Sequence, residues 1–150
     1  MTEHLLEAGN QVVATLRKPE DIADLEARYP STQLLVVKLD VTNKTDVTAA
    51  FAKAEEVFGR IDVVFNNAGA RIVGEVEAVN EVEAREMFDV NFWGAIRVTT
   101  EAVRFFREVN KPMGGRLLQM SSGLGLKGPA VCGHYSASHV PLPVLTPSAC

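Results

Sequence analysis

Cysteine is scarce, long apolar runs are missing, and neither sign of charge dominates. The two cysteines, Cys132 and Cys150, are too few for a disulfide framework and stand at no metal-ligand spacing. Reduced thiols in a cytoplasmic setting are therefore the expectation, with no metal site. No apolar run approaches the roughly 18 residues of a membrane-spanning helix, so no such helix is expected. Met1-Thr2-Glu3-His4 has neither the basic start nor the apolar core of a secretory signal. Fifteen Lys+Arg against nineteen Asp+Glu leave a net charge of −4, which excludes the basic footprint of a nucleic-acid binder. Repeats and low-complexity stretches are also missing. What is present is an ordinary globular mixture, 47% hydrophobic and 23% charged, over the 150 residues of one domain.

The apolar pattern alternates between two periods. Residues 3–9 fit a helix stopped by Gly9-Asn10, and residues 11–16 fit a short strand. Pro19 opens a polar helical stretch over 19–28. The run 34–39 is almost continuously apolar, as in strands buried on both faces of a parallel sheet. Asn43 caps a helix, with Asp46 placed as in a capping box, and Gly59 ends it. Residues 61–65 read as a third strand. A loop through Gly69 and Gly74 leads to a long helix over 79–110. Two apolar stripes run along it, Phe92, Ile96, Val103 and Phe106 beside Ala95, Val98, Ala102, Phe105 and Val109. A face that broad packs on a sheet and leaves room for a second subunit, a homo-oligomer through the 92–110 helix. Arg97, Arg104, Arg107 and Lys111 read as a solvated cationic face. Gly114-Gly115 breaks the helix before a fourth strand at 116–120. Strands alternating with helices imply βαβ units and a parallel α/β sheet. From 139 onward, Pro141, Pro143 and Pro147 exclude a continuous helix.

Four short motifs on these elements carry a resemblance. Asn66-Asn67-Ala68-Gly69 follows the third strand, and Asp40-Val41 follows the second. Asn91 sits in Val90-Asn91-Phe92-Trp93-Gly94, and Ser122 lies thirteen residues before Tyr135 in Tyr135-Ser136-Ala137-Ser138. In this order the motifs resemble the classical short-chain dehydrogenase/reductase family. The resemblance implies a Rossmann-like, doubly wound parallel sheet and NADP-dependent interconversion of a small-molecule carbonyl and alcohol. It also implies roles. Tyr135 is the acid/base, Ser122 the donor to the substrate oxygen, and Asn91 a support. Asp40, Val41, Asn67, Ala68 and Gly69 border the cofactor. Ser121 reads as a strand-end residue without chemistry. Asn66 and Asn67 have a second reading as amides tying loops to the sheet, and His4 and His134 read as surface residues.

The residue types suit that chemistry. A phenol near pKa 10 is a poor base at neutral pH and needs a nearby cation. In the family this is a Lys four residues after the Tyr, one helical turn along. Here that position holds His139, a shorter side chain that is mostly neutral at pH 7. For the cofactor, Leu16-Arg17-Lys18 closes the first strand with no carboxylate before Glu20. A guanidinium there suits a 2′-phosphate, which favours NADP over NAD with Arg17 as its contact. The competing reading is two solvent-facing cations at a strand end.

The family also begins with a strand and a T-G-x3-G-x-G turn that binds pyrophosphate at a helix N-terminus. Glu3–Gly9 instead matches the second half of that helix. The expectation is an incomplete fold, lacking the first strand with its glycine-rich loop and the C-terminal strands. Residues 1–138 would form a partial dinucleotide-binding domain, and 139–150 a proline-rich tail outside the family, through splicing, a frame change or a misplaced gene boundary. Such a chain would have little activity. The alternative is a non-catalytic isoform acting as a dimerisation or regulatory partner.

Overall fold

The computed structural model describes residues 1–139. The expectation for the proline-rich tail therefore falls, from residue 140 onward, outside the described residues. Seven helices and four strands alternate: α1 (Thr2–Glu7), β1 (Val12–Leu16), α2 (Ala23–Arg28), β2 (Leu34–Lys38), α3 (Lys44–Phe58), β3 (Val63–Asn66), α4 (Glu81–Phe88), α5 (Ala95–Glu108), β4 (Arg116–Gln119), α6 (Leu124–Lys127) and α7 (Gly133–His139).

The strands pair in parallel, as expected. β1 lies beside β2 with Val12 opposite Leu34 and Leu16 opposite Lys38. β3 lies beside β4 with Val63 opposite Arg116 and Asn66 opposite Gln119. Among the described residues these are two separate two-stranded ladders. The period-2 geometry of β2 explains its unbroken apolar run. Leu34 and Val36 face a cluster with Leu6, Val12 and Ala14. Val37, with Leu39 beyond the strand, faces the other way. There Val47, Ala50 and Phe51 of α3 meet Val98, Ala102, Phe105 and Phe106 of α5. Phe51 and Phe105 set their rings 5.9 Å apart at 53°. Val64 of β3 and Leu117 of β4 pack against this same cluster, so α3 and α5 bridge both ladders. On β3 and β4, Val63 and Leu118 remain exposed.

Local chemistry sets the boundaries. Asn43 Oδ1 accepts the amides of Thr45 (2.9 Å) and Asp46 (3.4 Å), capping α3. The capping box itself is not formed, because the Asp46 carboxylate accepts the Asp40 amide instead (3.2 Å). Gly59 closes α3 with φ +74°, a left-handed turn that favours glycine. The stretch from Pro19 is not one helix: a 3-10 turn over Pro19–Ile22 precedes α2.

Two further differences concern the long helix and the third strand. The rod expected over 79–110 is interrupted by a π-helical segment over Asp89–Gly94, whose extra residue per turn changes which side chains face inward. Asn91 is buried there, and Gly94 lies so close to Val41 that a Cβ would fall 2.6 Å from its Cγ2. Strand β3 begins at Val63, two residues late, because Ile61 is held by a side chain. Asn110 Oδ1 accepts the Ile61 amide (3.1 Å) and its Nδ2 donates to the Ile61 carbonyl (2.7 Å). The cationic face is not simply solvated either. Arg97 is half-buried, donating to Asp89 Oδ1 (2.9 Å) and the Val41 carbonyl (3.3 Å), and Arg104 pairs with Glu101 and Glu108. Of the two α5 stripes, Ala95, Val98, Ala102 and Phe105 are buried, whereas Phe92, Ile96 and Val103 are half-buried at its flank.

Candidate active site

The loops at the carboxyl ends of β3 and β4 converge with α7 around a cavity of about 180 Å³. Residues 67–71 form one wall, Met120 and Ser121 another, and Tyr135 and His139 the third. This is smaller than the ~300–1,000 Å³ of an ordinary small-molecule site. A whole dinucleotide would extend well beyond it.

Asn91 builds the frame. Its Oδ1 accepts the Ala70 amide (2.7 Å), and its Nδ2 donates to the Ala70 carbonyl (2.8 Å) and to Ser138 Oγ (2.9 Å). Ser138 Oγ in turn donates to the Tyr135 carbonyl (2.7 Å). One buried amide thus ties the loop after β3 to the helix bearing Tyr135. Both of its protons are used on the protein itself, so its support acts through the backbone rather than on a cation. Asn66 is structural as well. Its Nδ2 donates to the Ala95 carbonyl (3.2 Å) and Gln119 Oε1 (2.8 Å), locking β3 to α5 and β4.

Tyr135 is half-buried between two other side chains. The His139 ring meets it edge-on at 4.6 Å and 65°, and the Arg71 guanidinium carbon lies 5.9 Å from its centroid. His139 is buried, and burial pushes its pKa below the ordinary 6.5, so the ring is neutral at pH 7. Its Nδ1 is buried without a hydrogen-bond partner among the described residues. A ribose hydroxyl could satisfy that atom, and the exposed amide-rich turn Asn67-Ala68-Gly69 could border a nicotinamide ring. The residues present therefore fit the nicotinamide end of the expected cofactor.

The two serines differ in surroundings. Ser121 lines the cavity, whereas Ser122 Oγ accepts the Leu124 amide (3.2 Å) at the start of α6. Asp40, Val41 and Arg17 stand at the carboxyl ends of β1 and β2, away from this cavity. Thr42 donates from its backbone amide (2.9 Å) and from its hydroxyl (2.7 Å) to Asp40 Oδ1, which holds the Asp40 carboxyl below its ordinary value. Arg17 and Lys38 add to that effect. Val41 is a core side chain, and its carbonyl accepts from Arg97 (3.3 Å). Arg71 was not foreseen. Its only signal was a lone cation in the run of small residues after a strand. His134 Nε2 contacts the Val76 carbonyl (3.1 Å), a structural role. Among the described residues, no group of three or more His, Cys, Asp or Glu could hold a metal, and no helix is long and apolar enough to cross a membrane.

The chain is similar to known proteins. A family profile described as short chain dehydrogenase matches residues 1–149. An uncharacterized oxidoreductase of Schizosaccharomyces pombe is 41% identical over 133 residues, covering 89% of this chain and 43% of that protein. An oxidoreductase of Penicillium decumbens is 38% identical over 121 residues, 79% of this chain and 39% of its own length. A crystal structure of a short-chain dehydrogenase from Streptomyces avermitilis superposes with a TM-score of 0.86 at 32% identity, over 96% of this chain and 52% of that one. The chain thus spans about half the length of the proteins it matches.

Proposed function

Since the chain belongs to the short-chain dehydrogenase family, we propose that it interconverts a carbonyl and an alcohol on a small molecule, with NADP as the redox partner. The observation that carries this reading is Tyr135 in a cavity beside the 67–71 turn, fixed there by the Asn91–Ser138 link. Tyr135 exchanges the proton at the substrate oxygen. Ser122 is the hydroxyl assigned to that oxygen, and reaching it requires giving up the Leu124 amide. Asn91 holds the loop. A bound nicotinamide supplies or accepts the hydride. Asn67, Ala68 and Gly69 border its ring, Asp40 and the Val41 backbone border the adenine, and Arg17 meets the 2′-phosphate.

Turnover by the 150 residues alone is slow in this reading. His139 stands where a lysine would put a full charge beside the phenol, and a neutral buried imidazole supplies none. A second reading, a dimerisation partner through the 92–110 helix, is favoured by the exposed Trp93 (53%) next to the half-buried Phe92 and Ile96.

Calorimetry with NADPH and NADH, followed by a carbonyl-reduction assay, separates the readings. Tighter binding of NADPH, reversed by Arg17→Glu, supports the cofactor assignment. Slow turnover that is abolished by Tyr135→Phe and raised by His139→Lys supports the catalytic one. A dimer that binds neither nucleotide would replace both with the interaction role.

A further inference from the structure

The cavity is electropositive in a specific way. Arg71 is the one charged side chain in its wall, and no carboxylate lines it. Arg28, Arg60, Arg85, Arg97 and Arg104 each pair with an Asp or Glu. Arg71 makes no such pair among the described residues. Its position is nevertheless defined. The guanidinium rests over the Tyr135 ring, a cation–π contact that holds it at the cavity edge. His139, nine-tenths buried, meets the same ring edge-on, and its Nδ1 has no partner among the described residues. Ser121 adds a hydroxyl and Met120 an apolar surface. A guanidinium free to offer parallel N–H donors matches a planar carboxylate better than any neutral group.

We propose that Arg71 makes this cavity a carboxylate-binding site, so that the preferred substrates are oxo or hydroxy acids whose carboxylate pairs with the guanidinium. The assignment of that carboxylate to a substrate rests on the oxidoreductase reading above; the binding of an organic carboxylate does not. With the carboxylate on Arg71, whose guanidinium carbon lies 5.9 Å from the Tyr135 ring centroid, the neighbouring carbon of an oxo acid comes beside Tyr135.

The test is titration of the ¹⁵N-labelled chain with sodium benzoate, its neutral isostere benzamide, and inorganic phosphate, read by the Arg71 Nε and Gly69 and Ala70 amide signals. Benzoate is expected to shift these signals at least about tenfold more tightly than benzamide, the size of one well-formed charged contact. It is also expected to outcompete phosphate. Arg71→Gln should abolish that preference and Arg71→Lys should keep part of it, with signals elsewhere unchanged. Equal binding of benzoate and benzamide, no binding of either, a preference for phosphate, or undiminished binding by Arg71→Gln would each overturn the proposal. Benzoate binding without any NADPH-dependent turnover would leave the carboxylate site standing and remove only the oxidoreductase reading.

Discussion

Replacing Asn91 by alanine tests the framework of the site most directly. Asn91 is 1% exposed and makes three hydrogen bonds, two to the Ala70 backbone and one to Ser138 Oγ. Alanine removes all three partners at once. At a net ~1 kcal/mol per bond the loss is about 3 kcal/mol, and water entering the vacated space lowers the penalty for the half-buried Ala70 groups. Against the ~5–15 kcal/mol of a typical domain the variant still folds. Its melting temperature falls by roughly 6–12 °C, at about 2–4 °C per kcal/mol for a chain of this size. Urea unfolding of both proteins, monitored by Trp93 fluorescence, gives the difference. Asn91→Asp should be at least as damaging, because it retains the acceptor for the Ala70 amide but sets a carboxylate against the Ala70 carbonyl. A loss below about 0.5 kcal/mol for Asn91→Ala, the lower bound for one bond, would refute the claim that this side chain joins the loop to α7.

Three further outcomes follow from features already described. Phe105→Ala, at a fully buried ring facing Phe51, should cost about 3–5 kcal/mol in urea unfolding. Gly59→Ala should cost about 1 kcal/mol from backbone strain alone at φ +74°, because a Cβ there meets no atom within 4 Å. His139 has its pKa lowered from 6.5 by burial, so between the lowered value and 6.5 the unfolded chain binds a proton that the folded chain refuses. Stability therefore rises with pH through that window, and His139→Gln should flatten the rise when urea midpoints are compared across pH 5–7.5.

The sequence carried most of what depends on neighbours along the chain. Four parallel strands, the Asn43 cap and the Gly59 stop follow from period, side-chain donors and backbone preference. That Tyr135 and the Asn67–Gly69 turn serve one site is what the family resemblance implied, and both line the cavity. Contacts between distant positions were not legible. Helical periodicity does not separate α from π geometry over a single turn, so the break at Asp89–Gly94 was invisible. The late start of β3 depends on Asn110, 49 residues away. Ser121 and Ser122 are adjacent and chemically identical, and only the path of the chain into α6 decides which one faces the cavity. Arg71 acquires its meaning from Tyr135, reached only through the fold.

Strand β3 is bracketed by two asparagines that each pair with one residue's amide and carbonyl, Asn110 with Ile61 and Asn91 with Ala70. Each side-chain amide imitates a segment of neighbouring strand. Asn91 sits in the π-helical segment that runs into α5 and Asn110 just past the end of α5, so the span from Ile61 to Ala70 is held at both ends against the ends of one helix. Adding or deleting one residue within it satisfies one anchor only by abandoning the other. Surface loops generally tolerate changes of length; a one-residue change at Asn67-Ala68-Gly69 is expected to cost one of these two anchors.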